Sequence, residues 1–398
     1  MPLRRVALVA LVGLMGTACS ATSPTPTPNQ TTDPSAGAAT QTTSASAAQT
    51  PASPTAQPTA TPPAAGGVYA ATVSGQIDSR LANLPPRVYV PNENSGDVTV
   101  IDPKTFKIIG RFKVSLSPEH ITPDWDLSRL YVNNMGGSKL TVVDQNTAKP
   151  IGNINVPYPY NLYFTLDGSK AIVVDDFMTS GYIDHNGLAF YDRKTWKFLK
   201  FLKIPFTGVD HMDMSADGTF LLASCETSGM AVKVDTRTMT MTGSVRVGGL
   251  PLDVRLSPDG KFFFIANQGL SGVNVVDAKT LRVVRFIRTD TGAHGLGISR
   301  DATKLYVTNR IAGTISVIDI STQKVIAKWK AGASPDMIAF SPDGSQMWVS
   351  NRYNGTVDII NPDTGAIIKT IATGANPHGL MYWPQPGRYS LGHNGNMR

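Results

Sequence analysis

The segment GDVTVID (residues 96–102) decides the fold, because runs of the same kind recur along the chain. Each run is a short apolar strand that ends in an acidic or amide residue: KLTVVD (139–144), GLAFYD (187–192), AVKVD (231–235), GVNVVD (272–277), TISVID (314–319) and TVDIIN (356–361). The last residues of successive runs lie 42, 48, 43, 42, 42 and 42 positions apart. Such a period, built from short strands, is typical of a β-propeller with one four-stranded blade per repeat. We therefore predict an all-β fold, a seven-bladed β-propeller of four-stranded antiparallel blades.

The two ends of the repeat array predict how the ring closes. A complete repeat reads as strands a to d, for example residues 294–299, 304–309, 314–319 and 324–330. The first copy begins at strand b (residues 87–92), and an additional strand a (residues 377–383) follows the last copy. We expect this C-terminal strand to become the innermost strand of the first blade, because closure removes exposed sheet edges. The propeller is thereby predicted to span residues 87–384.

The ends of strand b carry a family resemblance. They read YVPN (89–92), YVNN (131–134), YVTN (306–309) and WVSN (348–351), with eroded copies VVDD (173–176), LASC (222–225) and FIAN (264–267). This pattern resembles the YVTN family of β-propeller repeats, in a YncE-like exported lipoprotein form. The resemblance implies the fold over residues 87–384 and implies little about function, because propellers host many unrelated activities.

The N-terminal residues predict export and a lipid anchor. Arg4 and Arg5 precede an apolar stretch too short to span a bilayer, and Gly16–Cys19 resembles a bacterial lipobox whose cysteine is acylated. Residues 1–19 are therefore predicted to be a lipoprotein signal peptide, with ordinary cleavage and secretion as the alternative. Residues 20–67, rich in Thr, Pro, Ala and Ser, are predicted to be a disordered linker. Residues 68–86 form a lead-in segment, and residues 385–398 a polar tail that lies across one face or is disordered.

Composition narrows the functional classes. If Cys19 carries lipid, Cys225 has no disulfide partner, and its position at the end of a strand predicts a buried, inert thiol. Thirty-six basic and 29 acidic residues give a formal net charge of +7. The densest basic cluster holds Arg193, Lys194, Lys197, Lys200 and Lys203. We interpret this cluster as a solvated outer blade edge, and we do not expect nucleic acid to be the partner.

Alignment of the repeats predicts a polar site at one mouth of the central channel. The d–a and b–c loops share one face, and the start of each strand a lies beside the channel there. The residues predicted to bind a ligand at this mouth are Glu119, His120, Asn161, Asp210, His211, Asp253, His294, Asp336 and His378. A long b–c insertion (residues 177–186) adds Tyr182, Asp184 and His185 to the same face. Five of the 6 histidines thus belong to one predicted site.

These residue types leave several kinds of chemistry open. Imidazole and carboxylate are common metal ligands, so a divalent metal ion held by His120, His211, His294 and His378 is one interpretation. The alternative is structural, with these side chains capping loops and linking blades. The chain has no HExxH, CxxC or CxxCH motif, P-loop or dinucleotide fingerprint. No residue can therefore be assigned as catalytic from a linear motif.

The first functional hypothesis is an extracytoplasmic, lipid-anchored binding scaffold. Its partners would be the membrane, through Cys19, and an exported protein or small-molecule ligand at the channel mouth, with the chain monomeric. The first alternative is a metal-dependent lactonase- or lyase-type enzyme or an oxidoreductase-associated propeller, because propeller enzymes commonly place isolated acids and histidines at the channel mouth. The second alternative is binding of a polyanion by the net positive charge.

Overall fold

Seven four-stranded antiparallel sheets form the body of the molecule in a computed structural model that describes residues 67–176 and 185–398. Blade 1 begins with β1 (Arg87–Asn92), β2 (Asp97–Asp102) and β3 (Lys107–Lys113). Blade 2 contains β4 (Pro118–Pro123), β5 (Leu130–Asn134), β6 (Lys139–Asp144) and β7 (Lys149–Asn155). Blade 3 contains β8 (Pro159–Phe164), β9 (Lys170–Asp176), β10 (Asn186–Asp192) and β11 (Phe198–Lys203).

The remaining blades repeat this arrangement. Blade 4 contains β12 (Val209–Met214), β13 (Phe220–Cys225), β14 (Met230–Asp235) and β15 (Thr240–Arg246). Blade 5 contains β16 (Pro251–Leu256), β17 (Phe262–Asn267), β18 (Gly272–Asp277) and β19 (Arg282–Arg288). Blade 6 contains β20 (Ala293–Ile298), β21 (Lys304–Asn309), β22 (Thr314–Asp319) and β23 (Lys324–Lys330). Blade 7 contains β24 (Pro335–Phe340), β25 (Met347–Asn351), β26 (Thr356–Ile360) and β27 (Ile367–Ala372).

A late strand closes the ring, as the sequence predicts. Strand β28 (Met381–Trp383) pairs antiparallel with β1, and blade 1 has the order β28-β1-β2-β3. Regular pairing is shorter than predicted, because Pro377 makes only an isolated bridge, to Asn92. Blades 1 and 7 share one apolar cluster, in which Val88 lies with Trp348. The prediction of a seven-bladed propeller closed by one C-terminal strand is confirmed.

Burial falls from the channel to the rim. All six residues of β16 are buried, whereas β3 is mostly exposed. Apolar side chains of neighbouring blades pack face to face, for example Phe264 of β17 with Leu305 of β21. A fully buried side chain of this kind contributes about 1.5–3 kcal/mol, so packing between blades contributes strongly to stability.

Polar side chains secure the turns and the contacts between blades. The residue that ends each strand c caps the following turn; Oδ1 of Asp277, for instance, accepts a hydrogen bond from Thr280 N at 2.7 Å. The asparagine that ends strand b is structural, although it bonds neighbouring segments: Oδ1 of Asn92 accepts from Gly374 N at 2.9 Å.

The prediction of a solvated basic cluster is wrong for Arg193. Its side chain is 7% exposed and pairs with Asp124 at 2.9 Å.

The segment after β28 enters the propeller. A hairpin forms from β29 (Ser390–Gly392), a 3-10 turn (His393–Gly395) and β30 (Asn396–Met397). The turn contacts β4, β8, β24 and β28, which line the channel. Residues 387–398, called the plug segment below, therefore lie within the channel, and the expectation of a surface or disordered tail is wrong. In the described part of the chain, no helix is long and apolar enough to cross a membrane.

Candidate functional site

A β-bulge at the start of the inner strands of blades 2 to 7 turns two consecutive residues toward the channel. In β12, Val209 pairs with Cys225 and Met212 with Ala223, so Asp210 and His211 together oppose one residue of β13. The inner strands of blades 2, 5, 6 and 7 have the same irregularity, and that of blade 3 a one-residue version. A bulge of this type bends the strand and re-aims side chains.

The bulges create two sets of channel residues. The first ring is Glu119, Tyr160, Asp210, Leu252, His294, Asp336 and His378. The second ring is His120, Asn161, His211, Asp253, Gly295, Met337 and Gly379. Nearly all of the residues predicted for the mouth belong to these rings. These acidic, amide and histidine residues are at most 3% exposed, so they lie inside the channel and not at its open mouth.

Two histidines of the second ring converge with a third from the plug segment. One nitrogen each of His120, His211 and His393 lies within 4.8 Å of the other two. The ring centroids are 5.2 Å apart for His120 and His211, 4.9 Å for His120 and His393, and 4.6 Å for His211 and His393. All three side chains are fully buried. Because blades 2 and 4 are not neighbours, the contact between His120 and His211 crosses the channel.

The plug segment supplies the third histidine, and glycines make room for it. A β-carbon on Gly379 would collide with Nδ1 of His120 and would lie 2.8 Å from Oδ1 of Asn394. A β-carbon on Gly392 would collide with the ring of Tyr163, and the φ of Gly392 is 153°. The hairpin tip therefore reaches the histidines only because these two positions lack side chains.

Several ring nitrogens of this cluster have no hydrogen-bond partner within the described residues. His120 Nδ1 lies 3.1 Å from Asn394 Oδ1, which leaves its Nε2 without a partner. Both nitrogens of His393 lack one. His211 Nδ1 lies 2.6 Å from Asp210 Oδ1, at an angle that makes no regular hydrogen bond. A buried polar atom left without a partner costs about 1–3 kcal/mol, so a group that bonds these nitrogens would stabilise the folded chain.

Burial and neighbouring charges set the protonation of the cluster. Burial, together with the nearby His378 and His211, lowers the pKa of His120 well below its ordinary value. Burial likewise lowers the pKa of His393. His211 differs, because Asp210 outweighs burial and raises its pKa. Two of the three imidazoles are therefore neutral near pH 7 and have a nitrogen lone pair for a cation.

Two further second-ring residues border the cluster. Asn161 is fully buried, and neither its amide oxygen nor its amide nitrogen has a hydrogen-bond partner among the described residues. Asp253 Oδ1 lies 3.7 Å from His393 Nε2. Asp253 itself is fixed, because Oδ1 accepts from Arg255 Nη1 at 3.0 Å and Oδ2 from Leu296 N at 2.9 Å.

The first ring is an ion-pair network that lies next to the histidine cluster. Asp336 Oδ1 accepts from Arg310 Nε at 2.7 Å, and Asp336 Oδ2 lies 2.5 Å from His378 Nδ1. Arg352 donates to Glu93 Oε2 at 2.6 Å and lies 3.6 Å from Glu119 Oε2. His378 thus contacts the charged groups of this network, and its ring centroid lies 4.6 Å from that of His120.

Charge and burial oppose each other in this network. Burial raises the pKa of Glu119 to about 8, although Arg352 favours the carboxylate. Burial and Arg352 lower the pKa of His378 to about 4. His294 also contacts the network, since its Nδ1 lies 3.1 Å from Asp336 Oδ1 and its Nε2 contacts Arg310. We therefore revise the predicted metal set: His294 and His378 pair with charged residues, and His393 joins His120 and His211.

Of the three insertion-loop residues predicted for the site, the structure describes one. His185 is about one-third exposed, and its Nδ1 lies 3.2 Å from Asp175 Oδ2. Burial raises the pKa of that carboxyl to about 6. Tyr182 and Asp184, which were predicted to face the same site, lie outside the described residues.

Two kinds of residue contact the site but were not predicted from the sequence. His393 lies after the last repeat, so no copy exists to align it with. Arg310 and Arg352, by contrast, each follow the asparagine that ends strand b, and the corresponding residues of other blades include Glu93 and Glu226. Opposite charges at one repeated position are a signal that alignment of that column would have found.

Comparisons with known proteins identify the fold. Residues 63–386 match the model of the YncE-like beta-propeller family. No curated protein matches the sequence. A structure of Kuenenia stuttgartiensis hydrazine synthase is similar at a TM-score of 0.62 and 18% identity, with 73% of this chain and 99% of that chain covered.

Two other solved structures are similar, with comparable TM-scores and sequence identities. A putative 6-phosphogluconolactonase from Bacteroides uniformis has a TM-score of 0.62 and 13% identity, with 75% of this chain and 99% of that chain covered. Apo AztD from Citrobacter koseri has a TM-score of 0.54 and 12% identity, with 78% of this chain and 99% of that chain covered. Their names differ widely in function, so these likenesses show the fold alone.

Proposed function

The chain belongs to the YncE-like beta-propeller family, and we propose that it is a binding protein for a divalent transition-metal ion held by His120, His211 and His393. One observation carries the proposal: three fully buried imidazoles converge from two blades and the plug segment, with ring nitrogens that lack hydrogen-bond partners among the described residues. A bound cation would satisfy those nitrogens and offset the cost of burying them.

The donor atoms favour a particular class of ion. Neutral imidazole suits Zn²⁺, Cu²⁺ and Ni²⁺, whereas Ca²⁺ and Mg²⁺ prefer oxygen ligands. Zinc–nitrogen bonds of about 2.0–2.1 Å place the nitrogens of a tetrahedral site about 3.3 Å apart. The present limit of 4.8 Å therefore requires the three rings to move together by about an ångström each.

Neighbouring residues are placed to support such an ion. Asp210 lies beside His211, and Asp253 lies 3.7 Å from His393 Nε2. With an ion bound, a hydrogen bond from each ring to its carboxylate would orient the imidazole and raise its basicity. His120 Nδ1 faces Asn394 Oδ1, and donation to that oxygen leaves Nε2 for the metal. Asp210 would also offset part of the charge of a divalent cation, whereas Asp253 already pairs with Arg255.

Burial argues for holding an ion and against turnover at this site. Catalytic zinc sites keep one position open for water or substrate. Here the three histidines and Asn161 are all fully buried, and the first ring covers them on one side. The lactonase- or lyase-type alternative would need a path for substrate through these residues.

A titration of metal-free full chain with Zn²⁺ tests the proposal. We expect one ion per chain, and a loss of affinity of at least about 100-fold in His120→Ala, His211→Ala and His393→Ala. His185→Ala is the matched control, because His185 lies in the insertion and outside the cluster; it should bind like the wild type. Absence of stoichiometric binding to the folded wild type, or equal binding by the cluster variants, would refute the proposal.

The proposed setting of this activity is the cell envelope. The signal-like N-terminus supports a lipid anchor at Cys19 and an extracytoplasmic location, with residues 20–67 as a tether. A lipid-anchored, monomeric metal-binding propeller would exchange its ion with an exported protein partner. Labelling of the chain with a fatty acid, compared with Cys19→Ala, tests the anchor separately from metal binding.

A further inference from the structure

Resting on the proposed metal site, we propose that metal binding and docking of the plug segment are one linked equilibrium, so that the ion leaves and enters when residues 387–398 undock. The structural basis is that the site is divided between the propeller wall and a separate segment. His120 and His211 belong to the wall, whereas His393 is presented by the hairpin tip.

The plug segment contributes more than one ligand. Besides His393, its Asn394 places Oδ1 3.1 Å from His120 Nδ1, and this contact fixes the ring of a second ligand. Undocking the hairpin would therefore remove one ligand, His393, and would free the ring of a second ligand, His120, to rotate. A site that keeps His120 and His211 alone would bind the ion far more weakly, because ligands and their orienting partners both set affinity.

The opposite side of the cluster is less able to open. The first ring joins blades 1, 2 and 7 through Arg352, which contacts Glu93, Glu119 and Asp336 at 2.6, 3.6 and 3.7 Å. Removing one member of a buried charge network leaves its partners uncompensated, which strongly disfavours opening there. The strands that carry this ring are also held in the blade ladders.

The plug segment, in contrast, is a small unit outside the blade ladders, held by apolar contacts of Leu391 and Met397 and by Tyr389, which stacks on Trp125. Its two strands pair with each other and with no blade strand among the described residues. Arg398 is its main polar anchor: Nη2 donates to Asp213 Oδ1 at 3.0 Å and to Met214 O at 2.8 Å, and Nη1 donates to Ser215 O at 3.1 Å. A cavity lined by Arg255, Gln385 and Asn396 lies beside it, so the hairpin does not fill the channel.

Linkage makes the inference quantitative. An ion that binds only the docked form shifts the docking equilibrium by a factor of 1 + [M]/Kd, which is about 100-fold at a free concentration of 100 Kd. By reciprocity, a change that weakens docking must weaken metal binding by the same factor once undocked chains predominate. Metal occupancy and exposure of the plug segment therefore cannot vary independently.

Hydrogen exchange of the full chain with and without Zn²⁺ is the test. Amides of residues 387–398 should exchange about 10-fold to 100-fold more slowly with the ion, whereas those of the blade strands should change little. Arg398→Ala removes the anchor without touching a ligand. It should speed exchange of the plug segment in the metal-free chain and raise the rate of zinc release, each about 10-fold or more. Arg388→Ala, an exposed change in the same segment, is the matched control.

The outcomes separate this inference from the proposed function. If zinc binds stoichiometrically but plug exchange is the same with and without it, or Arg398→Ala releases zinc at the wild-type rate, the linkage is refuted and the metal site stands. If zinc does not bind the wild type, the metal site itself fails. A circular-dichroism melt of Arg398→Ala checks that the blades remain folded, and Arg398→Lys, which keeps the charge, should lie between the wild type and the alanine variant.

Discussion

Replacing Asp336 by asparagine should destabilise the propeller more than a change at any ordinary surface carboxylate. Asp336 is fully buried, and its Oδ1 accepts from Arg310 Nε at 2.7 Å while His294 Nδ1 lies 3.1 Å away. Its Oδ2 lies 2.5 Å from His378 Nδ1 and 3.7 Å from Arg352 Nη1. Asparagine keeps the shape of the Asp336 side chain but removes the negative charge that these groups contact.

The magnitude follows from the pairs that remain. Breaking a buried ion pair by removing one partner costs about 3–5 kcal/mol. Arg352 keeps Glu93 at 2.6 Å and Glu119 at 3.6 Å, whereas Arg310 loses its carboxylate partner. We therefore expect the lower end of that range, about 3 kcal/mol in the free energy of unfolding at pH 7.

The pH dependence gives the prediction a second readout. Although burial opposes ionisation, Arg310, His294 and His378 hold the pKa of Asp336 well below its ordinary value. A lowered pKa stabilises the folded chain above the unfolded pKa of about 3.9, and this contribution is lost as the pH falls through the folded pKa. The difference between wild type and variant should thus be constant near neutrality and shrink in acid.

Equilibrium urea unfolding, followed by tryptophan fluorescence, measures the effect. Asp363→Asn is the matched control: Asp363 is 80% exposed and pairs with Lys304 at 3.5 Å, so it should change stability by less than about 1 kcal/mol. Asp336→Asn with an unfolding free energy equal to that of the control would contradict the reasoning, as would a deficit that persists undiminished in acid.

Three other changes test separate parts of the structure. Deleting residues 377–398 removes the closing strand and the plug segment together, and we expect loss of cooperative unfolding; an unchanged melting curve would disprove closure by β28 as a requirement. Gly379→Ala should lower zinc affinity about 10-fold or more, because its β-carbon would collide with His120, whereas Gly152→Ala, with open space around it, should have no effect on binding. Cys19→Ala should move the chain from the membrane fraction to the soluble fraction, and continued membrane association would exclude the proposed anchor.

The fold could be predicted because its determinants are local and repeated. A run such as TISVID specifies a strand by its own alternation, and the constant spacing then specifies the ring. The missing first strand and the surplus last one together predict closure. None of these inferences requires knowing which side chains of different repeats touch each other.

The candidate site could be predicted only in part, for the same reason. The column that holds His120 and His211 repeats in every blade, so alignment finds it. His393 belongs to no column, and its arrival beside them depends on the space left by Gly379 and on the anchor at Arg398. Arg193 was misplaced because its partner Asp124 lies in another blade, and a basic run alone does not reveal such pairing.

The bulges of the inner strands assign blade packing and the lining of the channel to different residues. Blade packing uses the regular ladder, while the bulged pairs of blades 2 to 7 interrupt that ladder at the start of the inner strand. Substitutions at pairs outside the buried charge network of Asp336 can therefore change the lining of the channel without altering the ladder of the blades. A bulged inner strand thus offers two positions that can vary while the rest of the blade stays constant. This helps to explain how one architecture carries such different chemistries.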